Sequence, residues 1–267
     1  MLKRNIASGR NQVNGLLVGL TALIVTLCTI STVSAATIDD VYVGTSSGYV
    51  YMLNSDLSDT GICFATGDAV TSVTVLPNGN VAVGAGRYVY LRDPDLGQIG
   101  GGISFDVGSS LTVESLAAQS DNDVVVGTSD QWVFLTDSSL VEKTNYSVGG
   151  GVAITALAVQ SDDDVLVGTS NPYVYLTNSS LVEQDYFSAS SAINSLAVQS
   201  DDDVLVGTSD RWLFLTDSSL GEIANYSAGN GVAITALAVQ SIPEPSSFVL
   251  LSIGLAACAW RRRRGQA

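Results

Sequence analysis

One phrase, written five times at near-constant spacing, limits what this chain can fold into more than any other feature. It reads DVYVGTSSGYVYMLNSDL from Asp40, NVAVGAGRYVYLRDPDL from Asn80, DVVVGTSDQWVFLTDSSL from Asp123, DVLVGTSNPYVYLTNSSL from Asp164 and DVLVGTSDRWLFLTDSSL from Asp203. The aligned glycines Gly44, Gly84, Gly127, Gly168 and Gly207 are 40, 43, 41 and 39 residues apart. A period of about 40 is that of a four-stranded propeller blade. A second phrase precedes the copies: SVTVLPNG from Ser72, SLAAQSDN from Ser115, ALAVQSDD from Ala156 and SLAVQSDD from Ser195, with a last ALAVQS from Ala236. The unit is therefore strand, acidic turn, strand, Gly-Thr-Ser turn, aromatic strand and a looser fourth segment.

Both alternate faces are apolar in Val165-Leu166-Val167 and in Trp212-Leu213-Phe214-Leu215, which suits a sheet covered on both sides. The repeated glycine lets a neighbouring sheet come close. The first copy lacks an ALAVQ strand before it, and the last phrase, GVAITALAVQS from Gly231, lacks a VLVGT strand after it. The expected fold is all-β: a five-bladed β-propeller over residues 37–241, closed by pairing residues 236–240 with 41–45, which would leave no sheet edge free. A parallel β-helix is the structural rival.

The two ends read differently. Residues 1–36 run from Lys3, Arg4 and Arg10 through an apolar stretch from Leu16 to the small residues Val33-Ser34-Ala35-Ala36, the layout of a secretory signal peptide. Cys28 lies in that segment and Cys258 in the apolar stretch near the other end. Cys63 is then alone in the body, where it is expected as a buried free thiol.

Charge and composition exclude several functions. All 26 acids lie between Asp39 and Glu244, but only Arg87, Arg92, Lys143 and Arg211 of the 11 bases do, so the body should repel nucleic acid and anionic membranes. The chain has no histidine, which removes the usual general base and every Ser-His-Asp arrangement. Paired carboxylates could still hydrolyse glycosides, yet Glu114 is the only acid near the expected inner strands. The chain reads as a non-enzyme that takes no cofactor.

Two sets of residues remain as candidate sites. The acidic turns around Asp162, Asp164, Asp201 and Asp203 resemble calcium loops only weakly, because a hairpin turn supplies fewer oxygens than calcium needs. Solvated turns on one strongly negative face are the expectation. On the opposite face, beside small polar turns, one aromatic opens each third strand: Tyr49, Tyr88, Trp132, Tyr173 and Trp212. Such rings either pack between blades or stack on sugars.

The repeat itself resembles two families. VYVGTSSGYVYMLNSD from Val41 looks like a quinoprotein-type propeller repeat, and SLAVQSDDDVLVGT with LFLTDSSL looks like a delta-60-type bacterial repeat. These imply architecture and little about activity. The C-terminal residues 242–267, IPEPSSFVLLSIGLAACAWRRRRGQA, resemble a PEP-CTERM sorting signal: Pro243-Glu244-Pro245, an apolar stretch at 246–260 and the cluster Arg261, Arg262, Arg263 and Arg264. That resemblance implies a transient membrane anchor, recognition by an exosortase, and export to the surface or exopolysaccharide matrix of a Gram-negative bacterium. The readings that follow are a binding or structural module first, a multivalent carbohydrate-binding lectin second, and a hydrolase or quinone-dependent enzyme last.

Overall fold

The computed structural model describes residues 40–229 and 231–239; the expected signal peptide at 1–36 and the segment at 242–267 lie outside the described residues. Alternating β-branched and aromatic residues, broken by Gly, Asp and Asn turns, form nineteen strands in five antiparallel sheets. The first sheet holds β1 (Val41–Gly44), β2 (Tyr49–Leu53) and β3 (Asp59–Ala65). The second holds β4 (Val70–Val75), β5 (Val81–Ala85), β6 (Tyr88–Arg92) and β7 (Ser104–Asp106). The third holds β8 (Val113–Ala118), β9 (Val124–Thr128), β10 (Trp132–Thr136) and β11 (Glu142–Ser147). The fourth holds β12 (Ile154–Val159), β13 (Val165–Thr169), β14 (Tyr173–Thr177) and β15 (Glu183–Ser188). The fifth holds β16 (Ile193–Val198), β17 (Val204–Thr208), β18 (Trp212–Thr216) and β19 (Glu222–Ser227).

Strand order within every sheet follows the chain, each strand antiparallel to the next. That up-and-down order is propeller-like and rules out the parallel β-helix. The first strands of successive sheets stand side by side: Thr71 of β4 donates to the Val113 carbonyl of β8 (2.7 Å), and Thr155 of β12 donates to the Ile193 carbonyl of β16 (2.5 Å).

The expected closing pair is not formed. The first sheet has three strands, and among the described residues 231–239 make no ladder with β1. Instead Ile234 donates its N–H to the Thr208 carbonyl of the fifth sheet (2.9 Å), as Val70 of the second sheet does to Thr45 of the first (3.0 Å). The segment therefore starts along the path of a first strand but stays unpaired. Docking a segment on the sheet before it and zipping it to a strand at the far end of the array are separate events. Only the first is realised.

Each junction between sheets is built the same way, because the repeat supplies the same side chains. Val50 and Met52 of the first sheet pack on Val81, Val83 and Leu96 of the second. Ala82, Val89 and Leu91 then pack on Val124, Val126 and Leu140. Val125, Val133 and Leu135 pack on Val165, Val167 and Leu181, and Leu166, Val174 and Leu176 on Val204, Val206 and Leu220. An aromatic pair closes every junction at its rim: Phe64–Tyr90, Phe105–Phe134, Tyr146–Tyr175 and Phe187–Phe214, with ring centroids 5.5, 5.4, 6.3 and 5.3 Å apart and edge-to-face tilts.

Two backbone features make this close packing possible. A methyl group added at Gly127 would lie 2.6 Å from Ile154 Cγ2, and at Gly207 the same distance from Ile234 Cγ2. The turn between third and fourth strands ends in a leucine held in the left-handed region, with φ of 56–66° at Leu57, Leu96, Leu140, Leu181 and Leu220. The Asp or Asn that opens the turn holds it: Asp137 Oδ1 accepts from the N–H groups of Ser139 and Val141 (2.8 and 2.9 Å). Strain at a non-glycine residue persists where packing compensates it. Leu140, Leu181 and Leu220 are each 4% exposed beneath the preceding sheet.

Cys63 corrects another expectation, since it is exposed. It sits on β3, the outermost strand of its sheet, where Ile62 and Phe64 point inward and Cys63 between them points out.

Candidate functional site

The turns between first and second strands share a face with those between third and fourth. Gln119 Nε2 reaches from the first kind of turn in the third sheet to both kinds in the fourth, donating to the carbonyls of Asp163 (2.8 Å) and Ser179 (3.0 Å). Gln160 repeats this toward Asp202 (3.2 Å) and Ser218 (3.0 Å). This face carries most of the acids.

The acidic turns lie open to solvent, and their middle residues also act as inter-sheet struts. Their middle residues, Asn122, Asp163 and Asp202, have φ of 66–73°, a conformation that Asn and Asp tolerate better than other side chains. Asp163 accepts from the N–H and hydroxyl of Ser120 (2.6 and 2.5 Å), and Asp202 from those of Ser161 (2.8 and 2.5 Å). The Ser161 hydroxyl and N–H hold the Asp202 carboxyl below the usual carboxylate range. Asn78 donates its N–H to Asn122 Oδ1 (2.7 Å), so the second sheet is tied to the third in a related way.

The flanking acids Asp162, Asp164, Asp201 and Asp203 do not assemble an oxygen cage. Asp162 Oδ1 accepts from the Asp164 N–H, and Asp201 Oδ1 from that of Asp203. Among the described residues no group of three or more acids or cysteines is placed to hold a metal. A cavity of about 350 Å³ opens at this end of the first strands, lined by Val75, Leu76, Pro77, Ala118, Val159, Gln119, Gln160 and Asp163. Glu114 does not line it; its carboxylate accepts from the Thr112 hydroxyl (2.8 Å). Asp163 is already engaged by Ser120.

The opposite face holds the five aromatics. Tyr49 is 41% exposed, and Tyr88, Trp132, Tyr173 and Trp212 are half-buried. Each faces the aromatic two residues further along its own strand, with centroids 5.9–6.4 Å apart, and no two of the five pair with one another. The threonines of the neighbouring turns are internally spent: Thr128, Thr169 and Thr208 donate to the carbonyls of Trp132, Tyr173 and Trp212 at 2.8 Å. A cleft of about 250 Å³ nevertheless opens beside Tyr173, lined by Gly149, Gly150, Val152, Thr169, Asn171 and Tyr175.

Basic groups leave the acidity uncompensated. Arg87 pairs with Asp106 (3.4 Å) and Lys143 with Asp123. Arg92 stacks on Phe64 with its guanidinium carbon 3.6 Å from the ring centre, and Arg211 lies 5.6 Å over Trp212.

Beyond the sheets, residues 241–264 match the PEP-CTERM protein-sorting motif. The chain carries a PEP-CTERM tail. Pro243, Glu244, Pro245 and the four arginines at 261–264 all fall inside the matched residues. A PEP-CTERM tail marks a protein exported to the cell envelope or surface and recognised by an exosortase. The apolar stretch at 246–260 lies outside the described residues, among which no helix is long and apolar enough to cross a membrane.

Two solved structures resemble the array of sheets. One, described as the crystal structure of the mitotic checkpoint complex, has a TM-score of 0.55 at 18% identity over 61% of this chain, which spans only 51% of that one. The other, a protein of unknown function from Bacteroides caccae, has a TM-score of 0.56 at 12% identity, covering 70% of this chain and 72% of that one. Identities this low show a shared fold alone. No curated protein matches the sequence.

The Gln at the first turn and the Leu at the second are structural positions that the sequence reading does not single out. Both had a signal there: Gln precedes the turn in three copies, and Leu ends the second turn in all five.

Proposed function

We propose that this chain is a non-enzymatic binding or structural module that an exosortase delivers to the surface or exopolysaccharide matrix of a Gram-negative cell. The PEP-CTERM tail at 241–264 carries this reading. The body supports it: histidine is absent from the sequence, and Asp163 and Asp202 are engaged as struts by Ser120 and Ser161. Deleting residues 243–267 should lower the cell-attached fraction at least tenfold and raise the soluble exported fraction, measured by immunoblot of fractionated cells. Unchanged attachment would overturn the proposal.

The cleft beside Tyr173 favours a second reading, weak carbohydrate binding. A half-buried ring next to glycine backbone and the Asn171 side chain offers a stacking surface and polar groups for hydroxyls. Tyr173→Ala should then reduce retention on a glycan array at least tenfold. An array without signal from the parent protein at millimolar sugar removes this reading.

A further inference from the structure

We infer that the two ends of the sheet array form a head-to-tail contact between copies of this chain. The fifth sheet of one copy would pack on the first sheet of the next.

The inference rests on what covers each sheet inside the array. In all four internal junctions, one face of a sheet is buried against the opposite face of the sheet that follows. The face that the second to fifth sheets bury beneath the preceding sheet comprises two valines, an aromatic and the left-handed leucine. In the first sheet the same positions are Val41, Val43, Tyr51 and Leu57. Val43, Tyr51 and Leu57 are 39, 38 and 65% exposed, whereas Leu181 in the fourth sheet is 4% exposed. The left-handed backbone at Leu57 (φ 64°) persists although its side chain meets no sheet.

The fifth sheet presents the other half. Leu166, Val174 and Leu176 in the fourth sheet are 0–4% exposed, but their counterparts Leu205, Leu213 and Leu215 are all partly uncovered. Tyr226 occupies the place of Phe187, which is buried against Phe214, and is itself 64% exposed. Four aromatic pairs close the four internal junctions. Tyr226 and Tyr51 are the unspent halves of a fifth. A chain that exposes both halves of its own repeated interface at opposite ends is self-complementary, and the partner that fits is a second copy. Such heterologous contacts close into a ring of copies or run on as a filament, depending on the rotation between them. This goes beyond the display function proposed above and does not depend on it.

Crosslinking distinguishes a second copy from the chain's own far end. Tyr51→Cys and Tyr226→Cys would be placed separately in full-length protein in detergent, with Cys28, Cys63 and Cys258 replaced by serine, and joined by a short bismaleimide. Mixing the two single variants should give a product of twice the chain mass that neither gives alone. Adding Leu57→Asp to the Tyr51→Cys chain should cut its yield at least tenfold with unchanged circular dichroism. A crosslink only within the double variant, at single-chain mass, would show that the chain's own ends meet. That result, or no crosslink at all, overturns the inference.

Discussion

Replacing Leu181 with aspartate should abolish cooperative folding or lower stability by at least about 4 kcal/mol, while the same change at Leu57 should cost no more than about 1 kcal/mol. The two leucines are copies of one position with the same backbone, φ 60° at Leu181 and 64° at Leu57. Aspartate tolerates this conformation, so strain does not separate the variants. Burial does. Leu181 packs with Val125, Val133 and Leu135 of the preceding sheet, where a carboxylate would have no partner, and Leu57 faces solvent. Urea melts followed by circular dichroism would measure both. A Leu181→Asp melt within about 1 kcal/mol of the parent would show that the junctions do not hold the array together.

The second large effect comes from the repeated glycine. Gly127→Ala should destabilise by about 1–3 kcal/mol, although a glycine-to-alanine change in unstrained backbone commonly stabilises. The new methyl would lie 2.6 Å from Ile154 Cγ2 and 2.5 Å from Ser115 Oγ, both on buried first strands. Ile154 cannot retreat, since it is fully buried and its strand is tied into the fourth sheet. Pairing the change with Ile154→Ala, which removes the colliding atom, should cost less than the sum of the single changes. An additive result in the double-mutant cycle would place the strain elsewhere.

Strands and turns were legible because their chemistry is local. Alternation in Val165–Thr169, breakers at Gly and Asp, and a period of about 40 are properties of short windows, and the sheets follow them. The cross-sheet bonds of the acidic turns were not legible for the complementary reason. Asp163 looks like one of three solvated carboxylates until the fourth sheet lies beside the third, when its two oxygens meet Ser120. Cys63 was placed inside because cysteine is among the residues most often buried, whereas alternation along β3 put Ile62 and Phe64 there instead.

Sequence alone determined that five copies of one unit would form sheets with two apolar faces, that a glycine in each would meet the next sheet, and that the tail at 242–267 would address the protein outward. Tertiary structure alone decided which copies find neighbours. Leu57 and Leu181 carry the same side chain in the same turn, yet one is exposed and the other buried, because burial belongs to a pair of surfaces and a sequence writes only one surface at a time.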